Sequence, residues 1–530
     1  TFCMDTKKQR AVKTKLLQSI QRAYQIALGS KQKGIPLHEY HQSLQITRRQ
    51  FLATTGKASL FTLAAGASFI TACTTANKPT IAIVGAGIAG LNAAYTLKRA
   101  GFIAQVYEAS DRTGGRIITA TDLMGKGLTT EMGGEFIDST HADMLLLAQT
   151  FNLPLLDTFV PSESNLIHAC YYINNKVITD KDILELFYPY TEKLSADIDS
   201  ISDEISYSNH TENDARLDNM SIAQYLQSIG ITGDLYKLLD VAYTTEYGCD
   251  IEQQSAINFL MLMNPDMHDT FNYSGFSDER YKIKGGNQLI TDALEKRLES
   301  QLNKGHKLEA IQRSDINGKT TLTFAIEGGV KEVVADFVIL ALPFTVLREI
   351  KMDCGFNKPK LKAINEMGYG KNAKFFHGFS KAHWRDLGYT GFTFTDTNLQ
   401  NGWDNSQLQQ GEGAGFTIFT GGKAGEVLNQ LSDAEIATQL YPILENCFPG
   451  ITGLQTGKMA RFYWASSPFA KASYACFAPG QYTTIEGAQR EPSGNIYFAG
   501  EHCSFEFQGF MNGAAQTGRE AAEAILKVMG

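Results

Sequence analysis

Positive charge is in short supply in this 530-residue chain: 48 lysines and arginines face 56 acids, for a formal net charge of −8. A nucleic-acid partner would want a basic face, and this balance offers none. None of the eight cysteines falls in a Cys-x-x-Cys spacing, and none of the ten histidines in a His-x-x-x-His pattern. No metal site is therefore expected, and most of the cysteines read as small buried hydrophobes. No Ser-His-Asp constellation competes for a catalytic role. Long apolar runs are missing too; the stretch from Ala58 to Ala72 is too short and weak for a membrane span. What remains is ordinary for a soluble globular protein of two or three domains, 43% apolar and 20% charged. Glycine, by contrast, is plentiful, and several of the 48 lie in tight clusters where backbone can approach a ligand.

The first cluster has the full context of a dinucleotide site. Thr80–Val84 is a β-branched run of the kind that forms a buried parallel strand. It leads into Gly85-Ala86-Gly87-Ile88-Ala89-Gly90, a helical pattern from Leu91 to Ala100 stopped by Gly101, and a second strand, Ala104–Tyr107, ending at Glu108. In this strand-helix-strand unit Gly85 makes the turn and Gly87 lets a pyrophosphate approach the backbone. Gly90 lets helix and strand pack closely, and Glu108 accepts the ribose hydroxyls. The N–H groups at Ile88 and Ala89 and the helix dipole face the phosphates.

Directly after Glu108 comes Ala109-Ser110-Asp111-Arg112-Thr113-Gly114-Gly115-Arg116. This element resembles the extension of FAD enzymes of the glutathione-reductase and amine-oxidase type. Its two arginines and two glycines add charge and N–H donors that NAD enzymes do not need. Two distant segments fit the same cofactor: Lys282–Leu289 opens a helix after Gly285-Gly286, and Asn495–Glu501 reads as a strand ending at Gly500 and Glu501. A final helix after Gly509-Phe510-Met511 would aim its N-terminus at the flavin ring.

With Glu131-Met132-Gly133-Gly134 and the Gly509–Ala514 end, these motifs make the chain resemble the flavin amine oxidases: monoamine, polyamine and L-amino-acid oxidases. The resemblance covers about Lys78 to Gly530. It implies an α/β (α+β) fold in which a discontinuous Rossmann-like FAD domain (78–145, 276–350, 475–530) interleaves with a mixed-sheet and helical substrate domain (146–275, 351–474). It places Gly133, Gly134, Glu135, Phe136, Gly500, Glu501, Phe510 and Met511 at the cofactor. It assigns Lys374 the family's lysine beside the flavin, with Lys371 as the register alternative. A lysine in an otherwise apolar alternating strand needs a partner, or else it is a solvated edge residue. Phe510 takes the place of the family's tyrosine in an aromatic frame around the substrate amine. Tyr474 is the second ring, with Ser473 competing, and both rings could instead be core. Trp464 is either near the flavin or core.

Two departures matter. The position of the family's FAD-linking cysteine falls near Ala472, and Cys476 comes several residues late, so FAD is expected to be non-covalent. Where L-amino-acid oxidases often carry an arginine for the carboxylate, this chain has Glu135-Phe136-Ile137-Asp138. An amino-acid substrate would need another arginine, such as Arg385 or Arg461. Glu135 or Asp138 could attract a cationic amine, and Asp138 could equally cap the helix that follows. The expected reaction is oxidation of a C–N bond of an amine or L-amino acid with O2 as acceptor and H2O2 as product. Protoporphyrinogen-oxidase or desaturase-like chemistry on the same fold is the alternative, and a non-catalytic flavoprotein the third reading. A homodimer is compatible with the resemblance.

The N-terminal residues 1–77 read as a signal and linker. Residues 1–46 are rich in lysine and arginine, and Thr47-Arg48-Arg49-Gln50-Phe51-Leu52 precedes the short apolar run. This resembles a twin-arginine export signal of a bacterium, a route that accepts folded cargo and so suits a cofactor protein. The other reading is a basic surface helix leading into a short core helix. Ile70-Thr71-Ala72-Cys73 resembles a lipobox, which makes a periplasmic protein or a lipoprotein anchored at Cys73 the expectation.

Overall fold

A computed structural model describes residues 12–44, 79–263 and 278–530. Its central layer is a five-stranded parallel sheet in the order Ile496–Phe498, Phe337–Leu340, Ile81–Val84, Ala104–Tyr107, Leu302–Asn303. The strand Ile81–Val84 is buried at every position, as its run of isoleucine, alanine and valine requires in a sheet covered on both faces. The nucleotide helix, Ile88–Arg99, follows it, and the C-terminal helix, Met511–Met529, packs across that helix. Glycines set this closeness. A Cβ on Gly90 would lie 1.9 Å from the Gly85 carbonyl oxygen, and one on Gly518 would lie 2.1 Å from that of Ala89.

A four-stranded sheet (Gly329–Ala335, Thr320–Ile326, Lys307–Arg313, Lys351–Asp353) flanks this layer. Lys351–Asp353 pairs in parallel with Lys307–Arg313, so this short strand stays with the sheet before it although the sequence reading began the substrate domain at 351. The second body is built on a seven-stranded sheet. Its order is Gln455–Tyr463, Ala373–Phe379, Ala414–Thr420, Asn401–Asp404, Tyr389–Thr395, Ile167–Ile173, Lys176–Ile178. All its pairings are antiparallel except that of Tyr389–Thr395 with Ile167–Ile173. Helices between 180 and 262 pack around its far end, among them the buried helix Gly233–Tyr247.

Part of the segment expected as a leader and linker through residue 77 is folded in this structure. Lys15–Lys33 is a helix inside the body, packed on helices Asp180–Phe187, Thr191–Ser200 and Gly233–Tyr247. Leu16, Leu17, Ile20, Ala23, Tyr24, Ala27 and Leu28 recur at helical spacing and are all buried. Thr14 caps the helix by accepting from the Leu17 N–H at 3.4 Å, and Gly34 ends it in the left-handed region at φ 63°. The basic residues that suggested a leader lie between these apolar positions. Arg48, Arg49 and Cys73 lie outside the described residues.

Candidate active site

Where the sheet Ile81–Val84 ends, a cavity of about 850 Å3 opens and runs to the seven-stranded sheet. At its first end Gly85 turns the chain at φ 100°, where a Cβ would strike the Ala341 carbonyl oxygen at 2.6 Å. Gly87 caps the nucleotide helix with no side-chain hydrogen bond, so the first-turn N–H groups at Ile88 and Ala89 face the cavity. A Cβ on Gly87 would meet nothing closer than Gly115 Cα at 3.9 Å, which leaves room for a ligand against the backbone. Glu108 accepts the Ala86 N–H at 2.7 Å and the Ser110 N–H at 2.9 Å, tying the glycine turn to the second strand. Arg112 donates to the carbonyls of Thr113 and Gly115. Arg116 pairs with Glu501 at 2.9 Å and donates to the Ser473 carbonyl, joining the start of the chain to its end. Glu501 also accepts the Gly509 N–H at 2.9 Å. The C-terminal helix begins at Met511 with Phe510 as its cap and no capping side chain, and both line the cavity. Gly133 and Gly134 leave no room for a side chain: a Cβ would meet the Arg116 carbonyl oxygen at 1.9 Å and Met511 Cγ at 2.6 Å.

At the second end Lys374 projects from the strand Ala373–Phe379. All three of its ammonium protons are committed, to the carbonyls of Glu131 (3.0 Å) and Gly133 (2.9 Å) and to Glu135 Oε2 (2.9 Å). Glu135 in turn accepts Trp403 Nε1–H at 3.0 Å and lies 3.5 Å from Lys282 Nζ. Burial works to raise its carboxyl, but the two lysines prevail and hold it below the usual range. The neighbouring Glu131 is pushed up to about 7 by burial, against an Asn287 N–H that favours its charged form. Lys371 is half exposed and paired with Glu426 at 2.5 Å, so of the two register alternatives Lys374 is the one at the cavity. Tyr474 donates its hydroxyl to the Thr245 carbonyl, and Phe510 packs edge-on to His141 with centroids 4.8 Å apart; both rings border the cavity. Trp464 and Ser473 border it as well, with Trp464 Nε1–H on the Met132 carbonyl and Ser473 Oγ–H on Asn372 Oδ1.

The sequence profile of the family described as flavin containing amine oxidoreductase matches residues 88–526. The chain belongs to this family. Among its amine oxidoreductase relatives, an L-amino-acid oxidase of Demansia vestigiata is 26% identical over 472 residues, 85% of this chain and 87% of that one. Polyamine oxidase 2 of Arabidopsis thaliana is 25% identical over 463 residues, 84% and 88% of the two chains. The solved cyclohexylamine oxidase from Brevibacterium oxydans superposes with a TM-score of 0.75 at 20% identity, over 86% of this chain and all of that one. That likeness shows the fold: a nucleotide-type parallel sheet joined to a large mixed sheet.

The residues present fit the flavin of an amine oxidoreductase. Two uncapped helix N-termini and an open Gly87 wall meet in one cavity with Arg112 and Arg116. Ala109, Gly114, Gly115, Phe136 and Gly500 line it too, whereas Gly90 lies off the wall and serves helix packing. Other expectations change. Asp138 does not cap the helix Ala142–Thr150; it accepts the Glu279 N–H at 2.8 Å and sits 3.2 Å from His141 Nε2. Neither arginine put forward for a carboxylate reaches the cavity. Arg385 is bound by Glu163 and Asp404, and Arg461 by Asp433, because each lies beside acids of its own sheet and helices. Glu135, expected at the cofactor or as an attractor for the amine, does border the cavity, but its charge is taken by two lysines.

Sequence reasoning missed Lys13, Thr14, Lys15 and Glu279, all of which line the same cavity, and Glu246 behind Lys13. The helical periodicity after Thr14 was the available signal for the first three. Glu246 and Glu279 had none.

Proposed function

We propose that this chain is an FAD-dependent oxidase of amines, with FAD held without a covalent link. The observation that carries the reading is the charge arrangement of the cavity. Several basic residues of its wall are already bound by acids: Arg116 by Glu501, Lys374 by Glu135, Lys13 by Glu246 and Lys471 by Glu349. Buried Glu279 lines the same cavity and faces Lys15 at 3.7 Å. An amine is favoured there over an amino acid, whose carboxylate would need a free cationic fork. Among the described residues no cysteine lines the cavity, which supports a cofactor held by packing and hydrogen bonds.

The glycine turn and nucleotide helix would hold the pyrophosphate, and Glu108, with acceptor capacity left on both oxygens, the ribose. A bound flavin supplies an acceptor for a hydride equivalent from the carbon bearing nitrogen, and O2 takes the electrons on to give H2O2. The chain's own part is orientation and exclusion of water. The uncapped start of the C-terminal helix favours negative charge at the adjoining wall. Lys374 pins the Gly133 turn to the seven-stranded sheet and so fixes the shape of the wall that faces the substrate. The Tyr474 and Phe510 rings give the amine an aromatic surface. The imine product then meets water for hydrolysis.

Anaerobic mixing of the purified holoprotein with a panel of primary and secondary amines and L-amino acids tests this. Amines are expected to bleach the flavin. Bleaching by neither class removes the oxidase reading, and bleaching by L-amino acids alone overturns the preference for amines. On Arg48-Arg49 and Ile70–Cys73 alone we also propose twin-arginine export and cleavage before a lipidated Cys73, which metabolic labelling with palmitate against Cys73→Ser would test; the N-terminal segment that carries Lys13 belongs to the chain before that cleavage.

A further inference from the structure

The helix Lys15–Lys33 is anchored in the core, and its anchoring delivers Lys13 and Thr14, just before it, and its own first residue Lys15 into the active-site cavity. Lys13 is held by Glu246. Its backbone N–H donates to Glu246 Oε1 at 2.6 Å, and its ammonium lies 3.5 Å from the same oxygen. The ammonium also sits 4.2 Å from the centroid of the Tyr247 ring and 5.2 Å from that of Tyr474. Its alkyl stem lies on the turn before Phe510, where a Cβ on Gly509 would strike Lys13 Cε at 2.2 Å. An alkylammonium chain therefore fills the space between the Phe510 turn and Tyr474. Two residues on, Lys15 donates to the Asp278 carbonyl at 2.6 Å and faces Glu279 at 3.7 Å.

The acids around it call for such a cation. Glu246 is fully buried and Glu279 nearly so, and one carboxylate oxygen of each is buried without a hydrogen bond. Burial pushes both carboxyls up, and the lysines of the N-terminal segment draw them back. Isolated buried carboxylates are costly, so this end of the cavity favours a bound cation, and π-faces beside it add to the attraction.

We propose that Lys13 occupies the place of the substrate's ammonium group, and that Glu246 with the Tyr247 and Tyr474 rings forms an alkylammonium subsite which the chain covers with its own N-terminal segment. This rests on the amine reading above and adds to it the residue that selects charge and an internal competitor for its place. A substrate that displaces Lys13 must carry a cationic alkylamine, and an amino acid's carboxylate would meet Glu246. Because the competitor is tethered, its effective concentration is high, and removing it should raise apparent affinity at least about tenfold.

The test uses the full-length FAD-loaded protein and tert-butylammonium, whose nitrogen-bearing carbon has no hydrogen to lose. Binding is followed by perturbation of the flavin absorbance, and amide exchange of residues 12–15 by mass spectrometry. Lys13→Ala and Lys13→Met should each bind the probe at least about tenfold more tightly than the parent, while Lys13→Arg keeps the weak binding. Adding Glu246→Gln to Lys13→Ala should abolish the gain. Saturating probe should release exchange protection at the Lys13 amide of the parent. Unchanged affinity in both uncharged Lys13 variants, or a gain that survives Glu246→Gln, overturns the proposal, as would protection that persists under saturation. If the probe behaves as expected but no amine bleaches the flavin of parent or Lys13→Ala, the subsite stands and the oxidase reading falls.

Discussion

Replacing Lys374 by methionine removes the ammonium from a cage of three acceptors while keeping most of the stem's volume. The carbonyls of Glu131 and Gly133 and the Glu135 carboxylate each lose a partner at 2.9–3.0 Å. Breaking one side of a buried ion pair costs about 3–5 kcal/mol, since the remaining charge stays buried. Lys282 lies only 3.5 Å from Glu135 and Trp403 still donates to it, so the lower end of that range, about 3 kcal/mol, is expected. Glu135→Gln removes the charge but leaves an oxygen for Trp403, and should cost roughly 2 kcal/mol. If the pair acts as a unit, the double variant should be more stable than the sum of the two by about 2 kcal/mol. Urea unfolding of all four proteins, followed by tryptophan emission with and without added FAD, gives the cycle. Flavin reduction by amine should slow in Lys374→Met while FAD stays bound. A single variant costing less than about 1 kcal/mol, or strictly additive costs, would refute the view that Lys374 holds the Gly133 turn. Loss of FAD would instead place the lysine's main contact on the cofactor.

Other expectations follow from the same geometry. Gly87→Ala meets nothing closer than Gly115 Cα at 3.9 Å, so it should leave the apoprotein's melting temperature within about 2 °C but weaken FAD binding at least about tenfold, as read by equilibrium dialysis. Gly90→Ala has no room against the Gly85 carbonyl and should lose soluble expression as well as flavin. His377 is buried against Tyr441 and held down to about 4 from an ordinary 6.5, chiefly by burial. Its neutral form is therefore favoured by the fold, and stability present above pH 6.5 should be lost as pH falls towards 4, by roughly 3 kcal/mol. His377→Gln should flatten urea midpoints over that window, and an unchanged slope would remove His377 as the cause.

The glycine turn from Gly85 to Gly90 was legible because its demands are local: a left-handed turn, an open wall and a close crossing each exclude a side chain within a few residues. Arg116 and Glu501 were also legible, each within its own motif, although only the fold shows them paired. Lys374 and Lys371 could not be separated by pattern, because what decides between them is a carboxylate at 135 and another at 426. Arg385 and Arg461 looked available in the sequence, yet acids from distant segments claim both. The packing of the N-terminal helix was not anticipated for a different reason. Its lysines and arginines drew the eye to export, while the periodic Leu16, Leu17, Ile20, Tyr24 and Ala27 carried the structural information. No local signal connects Lys13 with Glu246, whose contact depends on closing a loop of 233 residues.

The meeting of Gly518 with Ala89 also sets an order of events in biosynthesis. The edge strand Ile496–Phe498 and the helix that crosses the nucleotide helix leave the ribosome long after the strand Ile81–Val84. Until they do, the glycine turn has neither Glu501 nor the second helix N-terminus facing it. Cofactor capture thus waits for this distant segment, and a product truncated before residue 496 would be a chain with no place to put its flavin.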